Sequence, residues 1–249
     1  MYTGSEAVIH EERSAHPLFT EEVAAFLDRL HHHFDRKRRE LLNKRESVVK
    51  QDKPVFTDIP LSKPVSLKNE DEVLAPAHKQ LMLSAFYSDA NRFIADFNNE
   101  KSSSWEMLMY WQQNLYDAIR MQSGFYLTNN TKTEIVLKPR PWHTEERNIT
   151  KEGRSMSASL VDVGIFMFHN AKEMLHQDKS PHICLSHIHN HLEARLWNDV
   201  FIYVQNDLQI PQGSIKVTVM NETVTDPSQF RNILYEIADH ATEFYYSMS

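Results

Sequence analysis

Glycine is scarce in this chain. There are 5 among 249 residues, at Gly4, Gly124, Gly153, Gly164 and Gly213, about 2% where roughly 7% is usual. A dinucleotide fingerprint or a Walker-type phosphate loop needs clustered glycines, so that backbone amides approach phosphate with no Cβ in the way. These glycines do not cluster, and both motifs are excluded. Turns must come mainly from Asn, Asp and the 10 prolines, which suit turn positions by other means. Cysteine is scarcer still: Cys184 stands alone, which excludes an intramolecular disulfide framework and suits a reducing compartment. Positive charge is outweighed, with 27 Lys and Arg against 34 Asp and Glu, a net charge of −7. The pI near 6.0 is the reverse of a nucleic-acid-binding balance. No apolar run approaches the ~18 residues of a membrane span, and residues 1–13 lack the basic and apolar regions of a secretory leader. The expectation is a soluble, cytoplasmic protein with no nucleic-acid and no membrane partner.

What is present is an ordinary globular composition, 41% apolar and 24% charged, enough for a packed core. The length fits one large domain or a domain with an appendage. Residues 18–45 read as a long amphipathic helix, with Thr20 as N-cap and Glu21 and Glu22 at the positive end of its dipole. Val23, Phe26, Leu27, Leu30, Phe34, Leu41 and Leu42 make its apolar stripe. Its polar face, Asp35 to Arg39 with Lys44 and Arg45, carries a basic run and reads as solvated. The histidines His31, His32 and His33 read as surface. Residues 49–77 turn to Pro, Lys, Asp and Ser, a linker with at most a short element. This divides the chain into an N-terminal helical segment and linker, 1–77, and a second portion, 78–249.

In the second portion strands alternate with helices. Strands are expected at 93–97, 134–137, 182–188 and 215–220. Helices are expected at 105–120, 159–177, 192–208 and 229–244, with a fifth strand beginning at Tyr245. Alternation of this kind implies βαβ units and a parallel sheet, and chemistry in such sheets collects at the strand carboxyl ends. Asp96, Lys138, Arg140, His187, His189 and Glu222 all fall there.

Two constellations carry chemistry. Asp96 and Glu222 can converge from separate strands, and two carboxylates with water suit Mg2+; strand-end acids also cap neighbouring helices. Lys138 and Arg140 are placed to face an anionic substrate. Cys184, His187, His189 and His191 form C-x2-H-x-H-x-H. On one extended strand the imidazoles would share a face and could hold zinc, and the alternative is a polar strand end. Cys184 itself reads as a small hydrophobe.

Longer stretches carry a family likeness. They include Phe26-Leu27-Asp28-Arg29-Leu30-His31, Ile94-Ala95-Asp96-Phe97 and Lys138-Pro139-Arg140-Pro141-Trp142-His143. They continue in Ser159-Leu160-Val161-Asp162, Phe168-His169-Asn170-Ala171-Lys172 and His191 to Phe201. Together they resemble the A-type malate synthase family. The resemblance implies a (β/α)8 TIM-type barrel, here its first four to five βα units, preceded by an N-terminal helical segment. It implies condensation of acetyl-CoA with glyoxylate to malate and CoA, in the cytoplasm or in peroxisomes. It implies Mg2+ held through Glu222, an acidic site residue at Asp96, and Lys138 in the place of the catalytic arginine.

The same comparison shows departures. Lys138 loses the planar fork of an arginine. Asp96-Phe97-Asn98-Asn99 stands for Asp-Phe-Glu-Asp, and Ser186-His187-Ile188-His189 for Pro-Lys-x-Glu. The chain matches about half a barrel, short of the part that carries the base aspartate. The expectation is a malate-synthase-like chain impaired or inactive by itself. The alternatives are a catalytically dead relative used in binding or assembly, and a metal-binding protein built on His187, His189 and Cys184. A second copy or a partner chain is expected to cover the open barrel edge.

Overall fold

The structure is a computed structural model that describes residues 8–9, 16–51, 71–88, 90–98, 104–128, 132–221, 224 and 226–246. After a two-residue strand, β1 (Val8–Ile9), comes the long helix α1 (Glu21–Gln51). Thr20 Oγ1 accepts the Val23 N–H and so caps α1 as expected. Then β2 (Glu72–Ala75), α2 (Lys79–Tyr87), β3 (Arg92–Asp96), α3 (Trp105–Ile119) and β4 (Glu134–Lys138) follow. A hairpin, β5 (Glu145–Lys151) and β6 (Arg154–Ser157), leads into α4 (Ala158–His176). The chain continues as β7 (His182–Ser186), α5 (His191–Asp207), β8 (Lys216–Asn221), α6 (Pro227–Glu236) and β9 (Ala241–Tyr246).

The six strands of the main sheet run in the order β2-β3-β4-β7-β8-β9, each pair parallel. A helix intervenes between each neighbouring pair, as parallel crossovers require. This is an α/β partial barrel, with the closing strands absent among the described residues. β1, β5 and β6 form a separate antiparallel sheet.

The expected strands at 93–97, 134–137, 182–188 and 215–220 fall on β3, β4, β7 and β8, and three expected helices fall on α3, α4 and α5. The helix expected at 229–244 stops at Glu236, and β9 begins at Ala241. Thr242, Phe244, Tyr245 and Tyr246 are β-branched or aromatic and suit a pleated surface better than a helix. The short element in the stretch read as linker is β2, an edge strand of the sheet. The β5–β6 hairpin went unread because β5 is mostly polar. Its turn has Glu152 at φ 51° and Gly153 at φ 74°, the left-handed pair of a two-residue hairpin.

One core joins α1 to the barrel. Leu27 and Leu30 of α1 press on α4 at Gly164, where an added Cβ would collide with Leu27 and meet Leu30 Cδ1 at 3.1 Å. Inside the curl of the sheet Ile94, Val136, Cys184, Met220 and Tyr245 form a second, smaller apolar cluster. Below it, at the strand starts, Arg92 ties the two edges together. Its Nη1 donates to Glu72 of β2 (3.0 Å) and its Nη2 to Glu243 of β9 (2.9 Å), while Nε reaches Glu134 (2.9 Å). Tyr245 Oη of β9 donates across the same gap to Glu72 Oε1 (2.8 Å). Side chains of the two edge strands therefore meet inside the curl, although their backbones do not pair.

Candidate active site at the strand carboxyl ends

β3 and β4 run side by side with Asp96 opposite Lys138, so both side chains emerge at the same end of the sheet. Lys138 Nζ lies 3.8 Å from Asp96 Oδ2, with the side chains 6% and 19% exposed. Asp96 Oδ1 accepts the Asn98 N–H at 2.9 Å, and the Lys138 carbonyl accepts the Phe97 N–H at 2.9 Å. The result is a nearly dry ammonium paired with a half-buried carboxylate at the barrel mouth. Of the four residues expected in the site, Asp96 and Lys138 are brought together, and Glu222 lies outside the described residues.

Arg140 takes a different position. Its Nε and Nη2 donate to Asp162 (3.0 and 2.6 Å), its Nη1 to Glu146 (2.8 Å), and its backbone N–H to Asp162 Oδ2 (2.9 Å). Burial works against this charge, and the two carboxylates more than offset it, holding the guanidinium above its ordinary pKa. Ser159 Oγ donates to the Arg140 carbonyl at 2.7 Å. Arg140 is thus the buried anchor of the turn that follows Lys138, with its fork turned to protein rather than to the mouth. Asp162 is the partner that sequence reasoning missed. The signal was available: Asp162 falls among Leu160, Val161, Val163 and Ile165 in the apolar first half of α4, and an acid there needs a buried partner.

The basic run of α1 also departs from expectation. Arg38 is buried, donating to Asp35 Oδ1 (2.7 Å) and to the Trp142 carbonyl (2.5 Å). Arg45 forms a bidentate pair with Glu193 (2.8 and 3.1 Å). Arg38 follows Phe34 by four residues and precedes Leu41 by three, so it sits on the apolar stripe. The helical period that placed the stripe also placed this arginine inside. His32 and His33 are exposed as expected, but His31 is buried, 3.7 Å from Asp35. Trp142 packs on Trp197 of α5 with ring centroids 4.1 Å apart. Through these contacts α1 clamps both loops at the mouth, the one after β4 and the one after β7.

The histidine constellation does not assemble as a shared strand face. β7 ends at Ser186, and His187 adopts φ 56°, which turns the chain out of the extended form. His191 already belongs to α5, capped by Asn190, whose side chain accepts the Glu193 N–H at 3.0 Å. Cys184 points into the interior cluster with Ile94 and Met220. Among the described residues no three His, Cys, Asp or Glu are grouped to hold a metal. Magnesium fits the described donors poorly for a related reason. Asp96 already engages one oxygen with the Asn98 amide and the other with Lys138, whose ammonium stands where a cation would bind.

Fold and site together define a class: a parallel α/β barrel portion with paired charges at the strand carboxyl ends. Residues 134–245 match the malate synthase TIM barrel domain and residues 4–52 the malate synthase N-terminal domain. The malate synthase of Myxococcus xanthus (strain DK1622) is 36% identical over 248 residues, covering 90% of this chain and 46% of that protein. The malate synthase of Dictyostelium discoideum is 33% identical, covering 97% of this chain and 49% of that protein. A glyoxysomal malate synthase of Candida tropicalis is 28% identical over 90% of this chain and 45% of its own length. The chain belongs to the malate synthase family. It spans about half the length of the curated relatives it matches. No helix among the described residues is long and apolar enough to cross a membrane.

Proposed function

We propose that this chain keeps a malate-synthase-type substrate site for glyoxylate and acetyl-CoA, and that by itself it condenses them to malate and CoA slowly or not at all. The Lys138–Asp96 pair carries both halves of this reading. A buried ammonium at the barrel mouth attracts the carboxylate of glyoxylate, and it opposes the negative charge that develops on the enolate oxygen of acetyl-CoA. Yet lysine offers a point charge where an arginine offers a planar fork addressing two oxygens. Asp96, 3.8 Å away, competes for that charge. Lys138 is the catalytic cation in this reading and Asp96 the carboxylate that holds it. Arg140 contributes on the substrate side by fixing the turn through Asp162. No step passes through magnesium.

The binding half is tested by calorimetric titration of glyoxylate into the intact chain and into Lys138→Met. The expected result is saturable binding weakened roughly tenfold or more in the variant, the size of effect that losing one charge-assisted contact produces. Equal binding by both proteins would overturn the assignment of Lys138.

Assembly with a second copy or a partner chain is a second reading with its own observation. β2 and β9 are the edges of the main sheet, each paired on one side only among the described residues. Open parallel edges recruit strands. Light scattering after gel filtration distinguishes a monomer from a larger assembly. The cytoplasm is the proposed compartment, with a peroxisome-type organelle as the alternative favoured by the glyoxysomal relative; imaging of the tagged chain separates them.

A further inference from the structure

At the opposite end of the sheet from Asp96 and Lys138, the start of β4, the turn leading into β7 and the ends of α2, α3 and α4 border a cavity of ≈ 230 Å³. Its wall includes Phe86, Ile119, Met121, Ile135 and Met174, and Lys132 and Lys179 line it as well. β4 alone separates this cavity from Lys138, a distance of about 13 Å at ~3.3 Å per residue. The cavity is therefore a separate site from the barrel mouth. A cavity of about 150 Å³ lined by aliphatic and aromatic residues is large enough to hold benzene, so this one has room for a ring and one polar substituent.

The sign of that substituent follows from the lining charges. Glu134 lines the cavity, but its Oε1 meets His182 Nδ1 (2.6 Å) and its Oε2 accepts from Arg92 Nε (2.9 Å), so its charge is met from the barrel side. The carbonyl ends of α3 and α4 would favour a cation, but hydrogen bonds already engage them. Gln177 Nε2 donates to the Ile119 carbonyl (3.0 Å), and the Gln177 and Lys179 amides donate to the Met174 carbonyl (3.0 and 2.8 Å). The ammonium of the exposed Lys179 then sets the sign at this cavity.

We propose that this cavity binds a small apolar monocarboxylate, its ring or branched chain against Phe86, Ile119 and Met174 and its carboxylate at Lys179. The site stands independently of the reaction at the barrel mouth.

Benzoate and its neutral isostere benzamide are the probes, titrated into the intact chain and followed by calorimetry or ligand-observed NMR. Benzoate is expected to bind roughly tenfold more tightly than benzamide, as a partly desolvated charge contact implies. Lys179→Glu, at an exposed position, should erase that preference. Ala118→Phe, which fills the cavity while leaving both lysines in place, should remove binding of both probes; Met174→Trp serves if that variant fails to fold. Three results would overturn the site: equal affinity for the two probes, benzoate binding that survives cavity filling, or no saturation below about 10 mM, weaker than ~3 kcal/mol of binding.

Discussion

A carboxylate withdrawn from water inside a helix is tolerated when its lone pairs are used, and Asp162 uses them on one guanidinium and one backbone amide. Truncating Arg140 leaves the Asp162 carboxylate in the core without its ionic partner. Arg140→Ala is expected to lower the unfolding free energy by about 3–5 kcal/mol, the cost of orphaning a buried charge. Urea denaturation followed by circular dichroism measures it, and a loss below ~1 kcal/mol would contradict the buried network. Histidines at the mouth give a pH signature at the same scale. The half-buried His189 ring is pushed down to about 4, first by burial and then by Arg45, His187 and His143. His143 is lowered in the same way. In the unfolded chain such rings titrate near 6.5, so between those values the unfolded state binds the extra protons. Stability is complete above about pH 6.5 and declines as pH falls toward 4, by about 1–2 kcal/mol once solvent screening of a partly exposed ring is allowed for. Melting curves between pH 7.5 and 5 should show this decline, and His189→Gln should flatten it; an identical slope in the variant would remove His189 from the account.

Between elements, the contact of α1 with α4 turns on Gly164. Its missing side chain admits Leu27 and Leu30 of the facing helix, and Gly164→Ala is expected to destabilise the fold by about 1–3 kcal/mol through overpacking. A variant as stable as the parent in urea would show that the two helices can slide apart without loss. Helical period and strand alternation were enough to read α1, α3, α4, α5 and four strands of the sheet, because each of these buries a regular face. They were not enough for β5 and β6, where polar residues alternate only weakly and the turn is announced by a single glycine. The same limit explains the site. Asp96 and Lys138 were legible because a parallel sheet delivers strand-end residues to one mouth. The partnership of Arg140 with Asp162, or of Arg45 with Glu193, depends on tertiary contacts separated by 22 and 148 positions. Residue type alone does not reveal such pairs, although the helical period does place Arg38, read as part of a solvated face, on the buried stripe.

As a whole, the molecule is a curled six-stranded sheet with polar locks at both ends. At the strand starts, Arg92 and Tyr245 join the edge strands β2 and β9 through Glu72 and Glu243. At the strand ends, α1 pins the loops around Lys138 through Arg38 and Arg45. The scaffold of the malate synthase family is kept in this half, and at its mouth the Lys138 ammonium is tied to the Asp96 carboxylate. The central claim is that such a site binds without turning over. Glyoxylate-dependent release of CoA thiol from acetyl-CoA by the purified chain, with magnesium present and both substrates near saturation, tests it most directly. The expected rate is below about 0.1 s⁻¹, at least ~10²-fold under a median enzyme, with a point charge tied to Asp96 in place of a planar fork. Release at 10 s⁻¹ or more, an ordinary enzyme rate, would contradict it.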